Sequence, residues 1–254
     1  MSGPFIANKG NVAAEMILEQ PPVNAFDSAG WMAIAAEIDA LGADDRVRVI
    51  LIAAEGRGFC AGVDIKELAA DPDRIVEVNR GNYETFRAIH RNPRPVSLAL
   101  HGYVLGGGIG MAGAADILVA SECARFGVPE IDRGAMGGGA HLQRLFPVQK
   151  VRYMYFTGDF IDAQEAWRLG AVERVVAREE LLPAAREIAA KIAEKSPAMV
   201  RLAKEALTGI EDGNLEDKYR WEQGFTLEAY TMGDSQESRD AFVAKRDAKF
   251  EGGE

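Results

Sequence analysis

The sequence predicts an α/β protein, with a parallel core to about residue 125 and a largely helical remainder. Three observations carry this. Short apolar runs recur at residues 47–52, 95–100 and 117–120, as in strands covered on both faces. Stretches of helical character separate them. From Gly138 onward the pattern changes, and over residues 183–207 and 215–250 apolar residues fall at three- and four-residue spacing.

The elements follow in order. Residues 12–18 read as a first strand, and Pro21-Pro22-Val23-Asn24 as a loop. Ser28 is placed to cap a helix over 29–41. The strand at 47–52 runs into a glycine-rich loop at 55–62, after which Asp64 opens a short helix over 65–69. A polar helical stretch covers 72–90. Pro95, which cannot donate to a ladder, starts the next strand. A second glycine-rich loop leads into a helix at 107–113, and 117–120 is a fourth strand.

The 254 residues carry 29 Lys+Arg against 39 Asp+Glu, a formal charge of −10, which argues against a nucleic-acid or anionic-membrane surface. With 48% hydrophobic residues the chain can offset its conformational entropy, so a disordered protein is excluded. The length fits one large domain, or a domain with a helical appendage. No apolar run is long enough to span a membrane, and Met1-Ser2-Gly3-Pro4 does not begin a secretory signal. Cys60 and Cys123 cannot build a disulfide framework, so a reducing cytoplasm is expected.

The two glycine-rich loops, at residues 56–67 (GRGFCAGVDIKE) and 101–110 (HGYVLGGGIG), each follow a buried strand and open a helix. Glycine permits close approach of main chain to a ligand, and the first N–H groups of a helix lack internal partners. Two such turns facing each other would aim two N–H donors at one oxygen, forming an oxyanion hole. Tight turns and close packing explain the same glycines equally well. Gly108-Ile109-Gly110-Met111-Ala112-Gly113 also spells a dinucleotide fingerprint, with Glu130 about twenty residues on. The strand before it ends near Leu100, however, and His101 to Gly107 intervene. No G-x-S-x-G elbow and no zinc-type ligand spacing is present.

Residues 59–67 (FCAGVDIKE), 102–108 (GYVLGGG) and 124–130 (ARFGVPE) resemble the enoyl-CoA hydratase/isomerase, or crotonase, superfamily. Gln143-Arg144-Leu145 and the 242–250 segment (FVAKRDAKF) fit the same pattern, so the resemblance spans nearly the whole chain. It implies a crotonase-like spiral of ββα turns over residues 1–195, with a helical C-terminal region over 196–254 that packs on the core and on a neighbouring subunit. It further implies a homotrimer or dimer of trimers, an acyl-CoA thioester substrate, and neither metal nor redox cofactor. The thioester oxygen would lie between the Val63 and Gly107 N–H groups, lined by Gly62, Asp64 and Gly106. The Ala61 carbonyl would meet the adenine, and Lys245 would sit near the CoA phosphates, often reaching in from a neighbouring subunit. A solvated helix face accounts for Lys245 just as well.

The hydratases of this family use two glutamates. The matching positions here are Gly110 and Glu130, so one carboxylate is missing. A positioned acid or base contributes roughly 10²–10⁴-fold, so ordinary enoyl-CoA hydration is put in doubt. The missing side chain is expected to leave space for a bulky or cyclic acyl group. Asp132, Arg133 and His141 depart from the common hydratases. With GGGIG and residues 219–226 (YRWEQGFT), they resemble a subgroup of ring-opening acyl-CoA hydrolases of steroid-ring breakdown. In that chemistry an activated water attacks a ring ketone β to the thioester, and the C–C bond breaks toward a thioester enolate.

Glu130 is the expected base. Asp132 and His141 are candidates for a proton relay, and Arg133 for binding a substrate carboxylate. Against these roles, Asp132 and Arg133 also read as surface ion-pair formers and His141 as a space-filling or capping residue. Cys60 reads as inert, His101 as a turn residue, and Asp116 as a partner for buried main chain. Tyr219 and Trp221 read as core or subunit contacts. Two alternatives stay open beside a ring-opening enzyme: a hydratase or isomerase using one glutamate on a bulky acyl group, and a catalytically silent CoA-binding member.

Overall fold

The computed structural model describes residues 4–9, 13–211, 214–246 and 248. Its main sheet has six strands in the order β1-β2-β4-β6-β8-β11. These are β1 (Phe5–Lys9), β2 (Ala13–Leu18), β4 (Val49–Ala54), β6 (Val96–Leu100), β8 (Ile117–Ser121) and β11 (Arg174–Val176). All pairings are parallel except β1 with β2. Two small sheets stand beside it, one of β3 (Ala25–Phe26) with β5 (Gly62–Val63), the other of β10 (Ile161–Asp162), β9 (Arg125–Gly127) and β7 (Tyr103–Leu105). Successive turns of chain thus place one strand in the large sheet and the next in a small one, which is the expected spiral.

All six residues of β4 and all five of β6 are buried, as the apolar runs required. Each buried aliphatic side chain contributes about 1.5–3 kcal/mol. On one side of the sheet lie α1 (Ser28–Ala43), α3 (Ile75–His90) and α4 (Gly107–Ala114); α2 (Ile65–Ala70) is short and follows β5. Beyond β9 come α5 (Gly139–Leu145), α6 (Val148–Thr157) and α7 (Ala163–Arg168). On the opposite face α8 (Leu181–Ala193) packs Leu181, Ala184 and Ala185 on Leu51, Ala53, Ala99 and Val119. The chain continues in α9 (Pro197–Ile210), α10 (Leu215–Ala229) and α11 (Gly233–Ala244).

Several boundaries differ from expectation for physical reasons. Asp27, not Ser28, caps α1, its Oδ1 accepting from Gly30 N–H at 2.7 Å. Ser28 instead donates its hydroxyl and N–H to the Glu67 carboxylate, tying α1 to α2. Val47 belongs to a turn that closes on Asp44 O, so β4 starts at Val49. The single helical run expected over 183–207 breaks at Pro197, where the Ser196 hydroxyl caps a new helix. The run expected over 215–250 divides where Met232 is extended before Gly233. Val12 and most of the segment after Arg246 lie outside the described residues.

Candidate active site

The two glycine loops are fastened together through main chain. Phe59 N–H donates to His101 O at 2.8 Å, Cys60 N–H to Tyr103 O at 3.0 Å, and Leu105 N–H to Cys60 O at 2.9 Å. The register brings Gly62 against Gly106 and Gly107, and a Cβ built on Gly62 would lie 3.2 Å from Gly107 N. Both Gly62 (φ +93°) and Gly106 (φ +51°) take conformations that side chains disfavour.

On the β3 side, Asp64 N–H donates to Phe26 O at 2.9 Å. Adjacent N–H groups along a strand point opposite ways, so the Val63 N–H faces away from β3. Gly107 is the first residue of α4, and the first intrahelical bond is Gly110 N–H to Gly106 O at 3.0 Å. The Gly107 N–H is therefore an open donor at the positive end of a helix. Trp31 and Asn82 fix its place: a Cβ on Gly107 would overlap the Trp31 ring and lie 3.1 Å from Asn82 Oδ1.

A cavity of about 300 Å³ opens in front of these turns, within the size range of small-molecule sites. Ala61, Val63, Asp64, Gly106, Gly107, Glu130 and Arg133 of the expected site line it. Glu130 sits in a 3₁₀ turn (Pro129–Arg133), its carboxylate lying over Gly106, where any Cβ would overlap it. The Glu130 carboxylate is thus placed beside the two glycine turns. Asp64 caps α2, accepting from Lys66 N–H at 3.0 Å. Arg133 donates to Pro129 O at 2.9 Å and stacks on Phe242 with 4.7 Å to the ring centroid.

Three expectations need correction and a fourth is narrowed. The space at Gly110 is not free: a Cβ there would overlap the Phe86 ring, which fills the position and forms part of the cavity wall. His141 stands outside the cavity, 1% exposed, packed on Phe86 (4.6 Å between centroids) and Tyr219 (5.0 Å). Burial first, then the His90 and Arg144 charges, push its pKa down to about 3, so it carries no mobile proton at neutral pH. Asp132 is exposed, lies against Gly158 and does not line the cavity. Lys245 ends α11 in a left-handed conformation, exposed and away from this chain's own cavity, so only the reach from a neighbouring subunit is left for it.

The residues read as structural behave so. Burial pushes the Cys60 thiol up to about 12, and its Sγ accepts from Gly62 N–H at 3.3 Å, bracing the turn. His101 Nε2 bonds Gly56 O at 3.0 Å. Asp116 accepts from Val96 N–H and from buried Lys204, both at 2.7 Å.

Sequence reasoning missed Phe86, Tyr230 and Arg239, all on the cavity wall. Burial pushes the Tyr230 phenol up to about 12, with the Arg239 charge lowering it and the Glu130 charge raising it. That phenol stays protonated at neutral pH. The signal for Arg239 was faint: its helix is polar up to Asp240, and Ser235 and Gln236, at helical spacing before it, hold its guanidinium.

The open Gly107 N–H at the start of α4, an acyl-sized cavity and the Glu130 carboxylate in its lining fit an acyl-thioester site. Residues 8–253 match the model of the enoyl-CoA hydratase/isomerase family, and the chain belongs to that family; it is an acyl-CoA enzyme. Among its relatives are two proteins named (7aS)-7a-methyl-1,5-dioxo-2,3,5,6,7,7a-hexahydro-1H-indene-carboxyl-CoA hydrolase. The one from Rhodococcus jostii is 44% identical over 236 residues, covering 92% of each chain. The one from Mycobacterium tuberculosis is 44% identical over 230 residues, covering 90% of this chain and 93% of its own. The crystal structure of an enoyl-CoA hydratase/isomerase from Xanthobacter autotrophicus superposes with a TM-score of 0.88 at 25% identity, over 99% of this chain and 100% of that one.

Proposed function

We propose that the protein opens a ring of a fused, keto-bearing acyl-CoA by adding water across a C–C bond. The observation that carries this is Phe86 standing where a second glutamate would project from position 110, while Glu130 keeps its place beside the main-chain donors. The site has one base and an anion hole, with an apolar ring for the other carboxylate. The names of the Rhodococcus and Mycobacterium relatives describe hydrolysis of such a bicyclic thioester, which supports the reading.

Glu130 takes a proton from water as its oxygen attacks the ring ketone. The bond from that carbonyl carbon to its ring neighbour breaks. Its electron pair moves, directly or through a conjugated double bond, onto the thioester oxygen. That oxygen's charge meets the Val63 and Gly107 N–H groups, each worth about 3–4 kcal/mol in the transition state. The proton held by Glu130 then goes to carbon, and the former ketone, still on the opened chain, ionises to a carboxylate. This chemistry calls on no metal or redox group.

A homotrimer or dimer of trimers completes the proposal, supported by Tyr153, Phe156 and Trp167, which stand 55%, 64% and 55% exposed. In it Lys245 would serve a neighbour's CoA phosphates. A cytoplasmic setting fits a CoA-linked reaction.

The test is a mass-spectrometric screen of acyl-CoAs that includes crotonyl-CoA and the bicyclic diketo thioester. Gain of one water with loss of a ring on the bicycle is the expected result. Fast hydration of crotonyl-CoA with an untouched bicycle would refute it.

A further inference from the structure

Arg239 lies on the cavity wall, 1% exposed. Its guanidinium lies 4.2 Å from the Tyr230 ring centroid, and its two terminal nitrogens donate to Ser235 Oγ and Gln236 Oε1. Its Nε–H is buried with no hydrogen-bond partner, and among the described residues Arg239 makes no ion pair. Arg133, on the turn against which α11 packs, repeats the pattern with an Nε that is also buried and unpartnered. A guanidinium keeps its charge at every accessible pH, and a buried donor left without an acceptor is unfavourable. A plain hydrocarbon acyl chain would leave both donors unanswered. An acyl group with an oxygen acceptor far from its thioester would answer them.

We propose that Arg239, with Arg133, forms a second oxygen-binding subsite that takes the ring ketone under attack and holds the carboxylate it becomes. The first oxyanion site, at Val63 and Gly107, takes the charge at the thioester. This second one takes the charge that develops when hydroxide adds to the ketone. The ketone half of the assignment rests on the ring-opening reading; the preference for a distal anionic oxygen does not.

The test compares glutaryl-, adipyl- and pimeloyl-CoA with their methyl esters by calorimetric titration, in the parent, Arg239→Gln, Arg239→Lys and Arg133→Gln. A charged hydrogen bond supports about a tenfold preference. At least one free acid should therefore bind about tenfold tighter than its ester in the parent. Arg239→Gln should abolish that preference, Arg239→Lys keep part of it and Arg133→Gln weaken it. Should Arg239→Gln fail to fold, the Lys and Arg133 variants still decide the matter. No preference in the parent, or one unchanged in every variant that folds, overturns the subsite.

Turnover of the bicyclic thioester is measured alongside. An Arg239-dependent carboxylate preference without ring opening keeps the subsite and sinks the reaction. Ring opening at parental kcat and KM in Arg239→Gln does the reverse.

Discussion

The cavity has two walls of different make. The first, Ala61, Val63 and Leu105 to Gly107, is built on two turns fastened to each other by main-chain hydrogen bonds. The second acts through side chains from separate elements: Phe86 of α3, Glu130 and Arg133 of a 3₁₀ turn, Tyr230 after α10 and Arg239 of α11. The difference teaches how labour is divided. In the proposed reaction the main-chain wall takes the charge of a thioester enolate once a bond is broken. In the same proposal the side-chain wall supplies the base and the groups that select the outcome.

The sharpest way to break this division is Glu130→Gln, which keeps the shape and removes the base. Ring-opening kcat should fall roughly 10²–10⁴-fold. Binding of an acyl-CoA should be unchanged, because the main-chain wall is intact; stopped-flow turnover and calorimetric titration measure the two separately. A variant that turns over like an active parent would show that Glu130 is not the base; no turnover in either, with binding kept, would make the protein a silent binder.

Next in size is Gly110→Glu, which restores the missing carboxylate of the hydratase pair. Its Cβ would overlap the Phe86 ring, so the single variant should lose about 1–3 kcal/mol of stability by overpacking, read as a lower Tm. Adding Phe86→Ala should recover most of the loss. If crotonyl-CoA hydration then emerges in the double variant, position 110 with its ring neighbour selects between outcomes. A single variant as stable as the parent would show that the ring does not hold that space.

The main-chain wall was legible because two glycine-rich loops each open a helix, and the family resemblance gave them a role. The positive φ angles of Gly62 and Gly106 explain the residue type there. Glu130 was legible through its place in a recognisable segment. The parallel strands were legible because double-sided burial demands continuous apolar runs. The rest of the side-chain wall was not, because it depends on which face of a helix turns inward. Nothing in the polar α11 sequence distinguishes Arg239, 1% exposed, from exposed Asp240 beside it. Gly110 misled for a related reason: a missing side chain implies space only until a distant residue, here Phe86, is known to fill it.

A third prediction concerns His141, which sequence placed among the proton carriers and the fold places behind Phe86. Its folded pKa of about 3 lies below the ordinary 6.5, so the unfolded chain binds this proton more readily. Its contribution to stability is therefore lost as pH falls through 6.5 and goes on falling toward 3. Between pH 8 and 5 the loss from this one ring is about 2 kcal/mol. Urea titrations across that range should show it, and His141→Phe should lose less. Nitrogen NMR should find the ring neutral down to pH 5. A midpoint near the ordinary value would put His141 back in contact with solvent, and the second wall would then extend behind Phe86.

The smallest effect is expected at Asp132, two positions from the base and chemically able to act as one. What separates the two carboxylates is direction alone: Glu130 lies over Gly106, whereas Asp132 is exposed with its carboxylate at Gly158, the left-handed residue that closes α6. Surface substitutions of this kind change stability by less than about 0.5 kcal/mol. Asp132→Asn should therefore leave kcat, KM and Tm at parental values under conditions where Glu130→Gln is nearly dead. A tenfold loss of kcat would mean that a carboxylate facing outward takes part in the chemistry. One cavity with two walls would then be too small a description of the site.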